Sequence, residues 1–375
     1  MKLAFCLFKY FPYGGLQRDF LRIARACRDR GHDIHVYTMR WDGDREPGFS
    51  VHIVPARGLQ NHTRCQSFIK KLQRELNQQH YDLVIGFNKM PDLDLYYAAD
   101  VCYQARINET RSSFYQLLPR YKQWVQLEEA VFANGNQTEI MLISSLQQPV
   151  FTDYYQTEQN RFHLLPPGIA KDRIAPANAQ AIRTELRKRY NIKTDDRLIL
   201  MVGSGFKTKG LDRAIYALAA LPENVKTRCH FFVIGQDDAK PFERLATHLQ
   251  VNNHLHFLGG RNDVADFLLA ADLLIHPAYH ENTGTVLLEA MIAGLPVLTV
   301  DICGYAHYVK DANVGVVLTT PFQQAELNAA LEKMLLSSST EWQANGLAFA
   351  KAADIYSLPE KAADLIESSG RLREI

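Results

Sequence analysis

Two glutamates with seven residues between them, Glu281 and Glu289 in HENTGTVLLEAMIAGLP, are the side chains of this sequence whose setting most suggests chemistry. Glu281 precedes the polar turn Asn282, Thr283, Gly284, Thr285, whereas Glu289 falls inside the apolar helical stretch VLLEAMIAG. A carboxylate in such a stretch is expensive to bury unless hydrogen-bond donors meet it, and a ligand's hydroxyls supply them. The competing reading puts Glu289 on the solvent side of its helix, the usual place for a helical Glu. Its flanks, Val286 to Leu288 and Ala290 to Ala293, leave little room for a wet face.

Candidate anion-binding groups stand after two other apolar runs. In SGFKTKGLDRAI, Lys207 and Lys209 come just before a helix beginning near Leu211, which would set ammonium groups beside exposed backbone N–H groups. In KYFPYGGLQRDF, Gly14 and Gly15 precede a helix whose bare N-terminus suits a phosphate. Solvated lysines and a plain tight turn are the alternatives. Gly205 and Gly210 do not lead into Lys and Ser or Thr, so there is no P-loop; Gly203 and Gly205 lack the third glycine of the dinucleotide fingerprint, which disfavours a nicotinamide oxidoreductase. Arg261 in GGRNDV follows a strand and has three readings: flat on a base, paired with a phosphate, or at the surface. Arg173, after PPGI, has the reach to enter an interdomain cleft. His280, His307 and the other histidines form no metal pattern, and DLD at Asp92 to Asp94 reads as the opening of a helix, so no metal is expected.

These groups need a scaffold, and the hydrophobic pattern describes one. Short apolar runs (KLAFCLF, DIHVYTM, VHIVPA, YDLVIGF, EIMLISS) read as buried strands, separated by amphipathic stretches such as LQRDFLRIARACRDRG, which Gly31 ends. A proline- and glycine-rich break at residues 164 to 180 reads as a linker. The pattern restarts with RLILMVG, CHFFVIG, HLHFLGG, DLLIHPA, LPVLTV and VGVVL. Repeated β-α units predict parallel sheets covered by helices: two doubly wound domains with a cleft between them. The expected boundaries are 1–165, 166–355, and a terminal helix 356–375 that is a candidate to pack back on the first domain.

Bulk properties exclude several classes. Forty-two basic and forty-one acidic residues leave a net charge of +1, so no global field favours nucleic acid. Six scattered cysteines with no CxxC pair read as reduced core thiols of a cytosolic protein. MKLAFCLFKYFPYGG lacks a small-residue cleavage site, and no run reaches the roughly 20 apolar residues of a membrane span. Any membrane contact is therefore expected from the side. Residues 104 to 132 suit that role, mixing Arg106, Arg111, Arg120 and Lys122 with Phe114, Tyr115, Tyr121 and Trp124. An amphipathic helix packed on its own domain is the alternative, and Glu128 and Glu129 favour it.

Taken in order, an N-terminal GG loop, a Lys before the first helix of the second half, and E-x7-E followed by A-G-x-P resemble the retaining GT-B glycosyltransferases. KYFPYGGLQRDF, GFNKMPDLD, YYAADVCY, KGLDR, GRNDV, ADLLIHPAY and CGYAHY extend the resemblance, across nearly the whole chain, to the lipopolysaccharide core glucosyltransferases of Gram-negative bacteria. The resemblance implies transfer of a hexose, most naturally glucose, from a UDP-sugar to a heptose of the lipid-anchored core. UDP-GalNAc or UDP-galactose on the same scaffold, and a non-catalytic nucleotide-sugar-binding protein, are the rival readings. It further implies that Glu289 accepts from the ribose hydroxyls and Glu281 from the donor sugar, with Asn282, Thr283, Gly284 and Thr285 around that sugar. Gly14, Gly15 and Lys209 would hold the diphosphate with Arg173 nearby, and Arg261 would contact uracil. Where many relatives carry an Arg, this chain has Ser204, so Lys209, Lys207 or Arg173 must carry that charge. Asp100 stands where other superfamily members have His, and with Asp19 and Tyr97 it marks the acceptor or sugar pocket. The expected catalytic group is thus Glu281, Asp100 and Lys209. Neither cofactor nor metal is expected, the partners are the UDP-sugar, the lipopolysaccharide acceptor and an anionic inner-membrane surface, and the expected location is the cytoplasmic face of that membrane.

Overall fold

The computed structural model describes residues 1–12 and 14–371; Tyr13 of the KYFPYGG segment and residues 372–375 of the terminal segment lie outside the described residues. The chain folds as two units, one comprising Met1–Gly168 with Ile355–Ile375 and the other Ile169–Asp354. The division falls where Pro166 and Pro167 withhold backbone donors from any ladder.

The first unit is built on strands β1 (Lys2–Cys6), β2 (Asp33–Thr38), β3 (Phe49–Ile53), β4 (Leu83–Gly86), β5 (Leu95–Ala98), β6 (Glu139–Leu142) and β7 (Phe162–Leu164). Its helices are α1 (Gly15–Asp29), α2 (Asn61–Leu76), α3 (Tyr103–Thr110), α4 (Pro119–Phe132) and α5 (Gln147–Tyr155). The strands pair in parallel in the order β3-β2-β1-β4-β5-β6-β7. Both faces of the sheet are covered, so Leu3, Ala4, Phe5 and Cys6 of β1 are all fully buried, and the run is continuous instead of alternating. Phe20, Ile23, Ala24 and Cys27 form the buried stripe of α1, spaced three, one and three residues apart.

Two strands escaped the sequence reading. Leu95 to Ala98 is a four-residue strand buried on both faces, too short for periodicity to distinguish, and Phe162–Leu164 is shorter still. The DLD segment consequently does not open a helix. Asp92 sits at φ 60° in a turn, and Asp94 accepts Val84 N–H at 2.7 Å through its carboxylate and Glu139 N–H at 2.8 Å through its carbonyl. These aspartates lead into β5.

The second unit has strands β8 (Arg197–Val202), β9 (Cys229–Ile234), β10 (Leu255–Phe257), β11 (Leu273–His276), β12 (Val297–Val300) and β13 (Gly315–Leu318). Before, between and after them run α6 (Ala179–Arg189), α7 (Leu211–Ala219), α8 (Glu223–Lys226), α9 (Lys240–His248), α10 (Val264–Ala270), α11 (Thr285–Ile292), α12 (Ala306–Asp311), α13 (Gln324–Leu336) and α14 (Thr340–Ala352). The order β10-β9-β8-β11-β12-β13 is again parallel throughout. Winding runs outward from β8 in one direction, then restarts at β11 in the other. The carboxyl ends of β8 and β11 therefore flank a topological switch point, where loops diverge and leave a ligand-sized crevice.

The terminal helix α15 (Leu358–Arg371) belongs to the first unit. It buries Leu358, Ala362, Ala363 and Ile366 in the core that also holds Phe20, Ile23 and Cys27 of α1. Arg30 ties the pair at their edge through Asp364 (2.8 Å) and Glu367 (3.2 Å).

Candidate active site

The loops leaving β8 and β11 are joined by backbone. Gly210, at φ 78°, caps α7, and a Cβ there would stand 2.0 Å from the Pro277 carbonyl oxygen, so only glycine lets the loops touch. Tyr279 N–H then donates to Thr208 O at 2.8 Å. Arg213, one turn into α7, lies 3.6 Å from the Tyr279 ring centroid and 3.7 Å from that of Phe322, and donates to Pro277 O and Ala278 O at 3.1 and 3.0 Å. That clamp positions Lys209 on one loop against Glu281 on the other, and the Lys209 ammonium donates to Glu281 Oε2.

Glu281 has a second partner that sequence reasoning missed. His276, the last residue of β11 and 1% exposed, stands with Nε2 at 3.1 Å from the same Oε2. Burial pushes the Glu281 carboxyl up, but the His276 hydrogen bond and the Lys209 charge outweigh it and hold the group down at about 2. A polar residue in the apolar run LLIHPA, at a strand's carboxyl end, is the signal the sequence carries for it.

Glu289 lies on α11 with its side chain 12% exposed, between buried Leu288 and Ala290. The solvent-side alternative is thereby set aside. Arg173 Nε stands 4.0 Å from Glu289 Oε1, which joins the two residues within the second unit. Asn282, Thr283, Gly284 and Thr285 connect Glu281 to α11, with Gly284 at φ 80° as its N-terminal cap. Thr283 O accepts Tyr305 N–H at 2.7 Å, bringing the CGYAHY segment against this turn.

The other expected donor-binding residues have partners within the second unit. Lys207 pairs with Asp212 and lies 4.7 Å from the Tyr279 ring centroid, its side chain 70% exposed. Asp212 follows on α7 within its reach, while Lys209 faces β11. Ser204 accepts Gln236 N–H at 3.0 Å and so spans the loops after β8 and β9. Arg261 forms a two-pronged pair with Asp263 at 2.7 Å each and lies 4.8 Å from the Phe267 ring centroid, so its fork is occupied within GRNDV.

In the first unit, Gly14 and Gly15 open α1, and no described residue stands within 4 Å of where a Cβ at Gly15 would lie. Asp100 is exposed in the bend between β5 and α3. Tyr97 corrects the expectation of a sugar-lining side chain: it is 0% exposed in the core, and its hydroxyl donates to Asp19 Oδ2 at 2.7 Å. A central strand covered on both faces has no solvent face, so the Tyr97 side chain does not line a pocket. Burial raises the Asp19 carboxyl, and the Tyr97 hydrogen bond offsets this only in part.

The segment 104–132 divides. Arg106, Arg111, Arg120 and Lys122 are exposed, as are Phe114 at 81%, Leu117 at 68% and Leu118. Trp124, expected at a membrane, instead is half-buried and meets Phe8 edge-on at 6.5 Å, because α4 lays its inner face on the first unit's core. Glu128 is fully buried, pairing with Lys89 and accepting Tyr103 N–H (2.9 Å), Gln104 N–H (3.0 Å) and Tyr155 OH (2.7 Å).

Known proteins resemble this chain along its length. Residues 182–348 match the family described as Glycosyl transferases group 1, and residues 13–173 match Glycosyltransferase Family 4. The lipopolysaccharide glucosyltransferase WaaG of Escherichia coli (strain K12) is 47% identical over 368 residues, 98% of each chain. A crystal structure of WaaG, described as a glycosyltransferase involved in lipopolysaccharide biosynthesis, superposes with a TM-score of 0.92 over 97% of this chain and 99% of that one. Anabaena Alr3699/HepE, solved with UDP-glucose, shares the fold at 20% identity, with a TM-score of 0.76 over 98% and 100% of the two chains.

Proposed function

The chain belongs to the glycosyltransferase family that includes the lipopolysaccharide glucosyltransferase WaaG of Escherichia coli, and from that premise we propose that it moves a hexose from a UDP-sugar, foremost UDP-glucose, to a heptose of the lipopolysaccharide core. One observation carries the reading at the level of chemistry. At the switch point of a doubly wound sheet, a cation (Lys209) and a mostly buried carboxylate (Glu281) meet on adjoining loops, and a second such carboxylate (Glu289) lies on the helix that follows, with Arg173 beside it.

Departure of UDP breaks the bond between the anomeric carbon and the phosphate oxygen, leaving negative charge on the diphosphate and positive charge on the sugar ring. Lys209, assisted by Arg173 and the backbone N–H groups opening α7, stabilises the former. Lys209 and Arg173 supply the positive charge that the leaving group needs, and on that ground we read the transfer as metal-independent. Glu281 accepts hydroxyls of the donor sugar, and Glu289 those of the ribose. We read the reaction as retaining. The acceptor oxygen bonds to the anomeric carbon on the face that UDP leaves, and its proton passes to the departing phosphate oxygen. Asp100 and Asp19 orient the acceptor. The glycosidase alternative needs a carboxylate nucleophile, and Glu281, held by Lys209 and His276, is poorly placed for that task.

No described helix is long and apolar enough to cross a membrane. Phe114, Leu117 and Leu118, exposed beside Arg106, Arg111, Arg120 and Lys122, support peripheral contact with an anionic lipid surface on the cytoplasmic side, where the lipid-anchored acceptor would be met.

The deciding experiment measures UDP release and product formation with a lipopolysaccharide core acceptor across UDP-glucose, UDP-galactose and UDP-GalNAc. Transfer is expected to be fastest from UDP-glucose. Faster transfer from another donor reassigns the sugar, and UDP-sugar binding without release or transfer favours a non-catalytic binding protein.

A further inference from the structure

We propose that His276 is a positioning residue for the donor sugar, holding the Glu281 carboxylate in place when Lys209 leaves it for the diphosphate. The inference rests on the donor-site reading above and adds a residue to it.

Glu281 has two donors on one oxygen, and they differ in kind. Lys209 carries its ammonium on a flexible four-carbon stem, with the side chain 22% exposed. Such a group is free to move to a stronger anion. His276 has no such freedom. Its ring is 1% exposed, and its backbone is paired in register with Thr299 of β12, whose Oγ1 donates to His276 O at 3.0 Å. Thr299 is itself fully buried.

The ring's protonation pattern follows from its surroundings. Nε2 faces a carboxylate oxygen at 3.1 Å, and Nδ1 is buried with no hydrogen-bond partner among the described residues. A proton on Nδ1 alone would set two lone pairs against each other at Nε2 and bury an unsatisfied N–H. The neutral tautomer that fits carries its proton on Nε2 and donates to Glu281.

The two contacts therefore act at different stages. In the free chain both donors satisfy Glu281, and Lys209 is held beside the position a diphosphate would take. A diphosphate attracts Lys209 away, because two negative charges outcompete one carboxylate. Without His276 the released Glu281 would lose its remaining protein donor among those described here and rotate about its own side-chain torsions. With His276, one carboxylate oxygen stays anchored while the other accepts a sugar hydroxyl. The device separates leaving-group stabilisation from sugar positioning.

The test compares UDP with UDP-glucose, by calorimetry and by transfer kinetics, in His276→Leu and His276→Gln. Gln carries an amide N–H close to the place of Nε2. Leu does not. For His276→Leu we expect UDP affinity within about twofold of the parent chain and a loss of roughly tenfold or more in kcat/KM for UDP-glucose, the range for a single hydrogen bond to a charged group. His276→Gln should recover to within about threefold. Full activity in His276→Leu would overturn the proposal. So would equal losses in both variants accompanied by weaker UDP binding, which would mean a disturbed strand end. Failure of the underlying reading is separate: it would show as a parent chain that neither transfers from nor prefers any UDP-sugar over UDP. Even then, a hydrogen-bonded imidazole Nε2–H resonance that vanishes in Glu281→Ala would retain His276 as the anchor of this carboxylate, and its persistence would refute it.

Discussion

Lys209 and Glu281 are separated by 72 positions, yet the ammonium of one donates directly to the carboxylate of the other. In the free chain each neutralises its neighbour in a site that is largely closed to water. On the proposed reading the diphosphate and sugar of a donor each take over one member of the pair, so donor binding is an exchange of partners, and the net gain is smaller than a count of new contacts suggests.

That exchange separates the two glutamates experimentally. Glu281→Ala frees Lys209, and UDP should bind as tightly as before or up to about fivefold tighter, while the advantage of UDP-glucose over UDP and the transfer rate collapse. Glu289→Gln should weaken UDP itself, by roughly tenfold. Calorimetric titration of both variants with UDP settles the division; equal losses would contradict it.

Acid should spare the Glu281 contact well below neutrality. Its carboxyl is held down to about 2 from an ordinary value of 4.5. A lowered folded value means that the stabilising contribution is complete above the ordinary value and is lost as pH falls from there through the folded one. The ratio of UDP-glucose to UDP affinity should therefore stay flat from pH 7 to about pH 5. A midpoint inside that window would show that Glu281 is not held as described.

Asp19 has the opposite sign. Burial raises its carboxyl from 3.8, so its favourable contribution is present below that value and is lost as pH rises through the raised one. Asp19→Asn, which keeps an acceptor for the Tyr97 hydroxyl, should stabilise the chain at pH 7 by roughly 0.5–1 kcal/mol while slowing transfer to acceptor. Thermal unfolding at pH 7 and donor-saturated kinetics read both effects. Destabilisation at pH 7 would remove Asp19 from the candidate acceptor residues.

Lys89 and Glu128 form the other demanding pair. Glu128→Ala leaves Lys89 without its carboxylate partner and removes the acceptor for the first two N–H groups of α3. The expected cost is about 3–5 kcal/mol in denaturant unfolding. Restoration of much of that loss by adding Lys89→Met would identify the stranded charge as the cause, and no restoration would point to the α3 cap.

Lipid contact should depend on the exposed apolar residues. Phe114→Ser with Leu117→Ser is expected to lower co-sedimentation with anionic vesicles by about tenfold and leave UDP affinity unchanged. Substituting Trp124 should instead lower stability, since it packs on Phe8. Undiminished sedimentation in the double variant would place the contact elsewhere.

Much of the architecture was legible in the sequence because a strand buried on both faces must be a continuous apolar run and a covering helix must carry a stripe. Eleven of the strands, from KLAFCLF to VGVVL, announce themselves in that way. The withdrawal of Glu289 from solvent was legible too, since a carboxylate in an apolar helix has little wet face to occupy. β5 and β7 were not, because three or four residues cannot express a period. Nor was the fate of the charges. Lys207 and Lys209 look alike two positions apart, and only folding gives Asp212 to the first and Glu281 to the second. The same holds for Tyr97, Trp124, Glu128 and His276, whose chemistry depends on partners brought from distant parts of the chain. Local pattern decides which residues are buried, because burial follows hydrophobicity along one element. Partner choice depends on which loops meet at the end of a sheet. Here that was decided by the strand order placing β8 beside β11 and by a glycine at 210 that lets their loops touch.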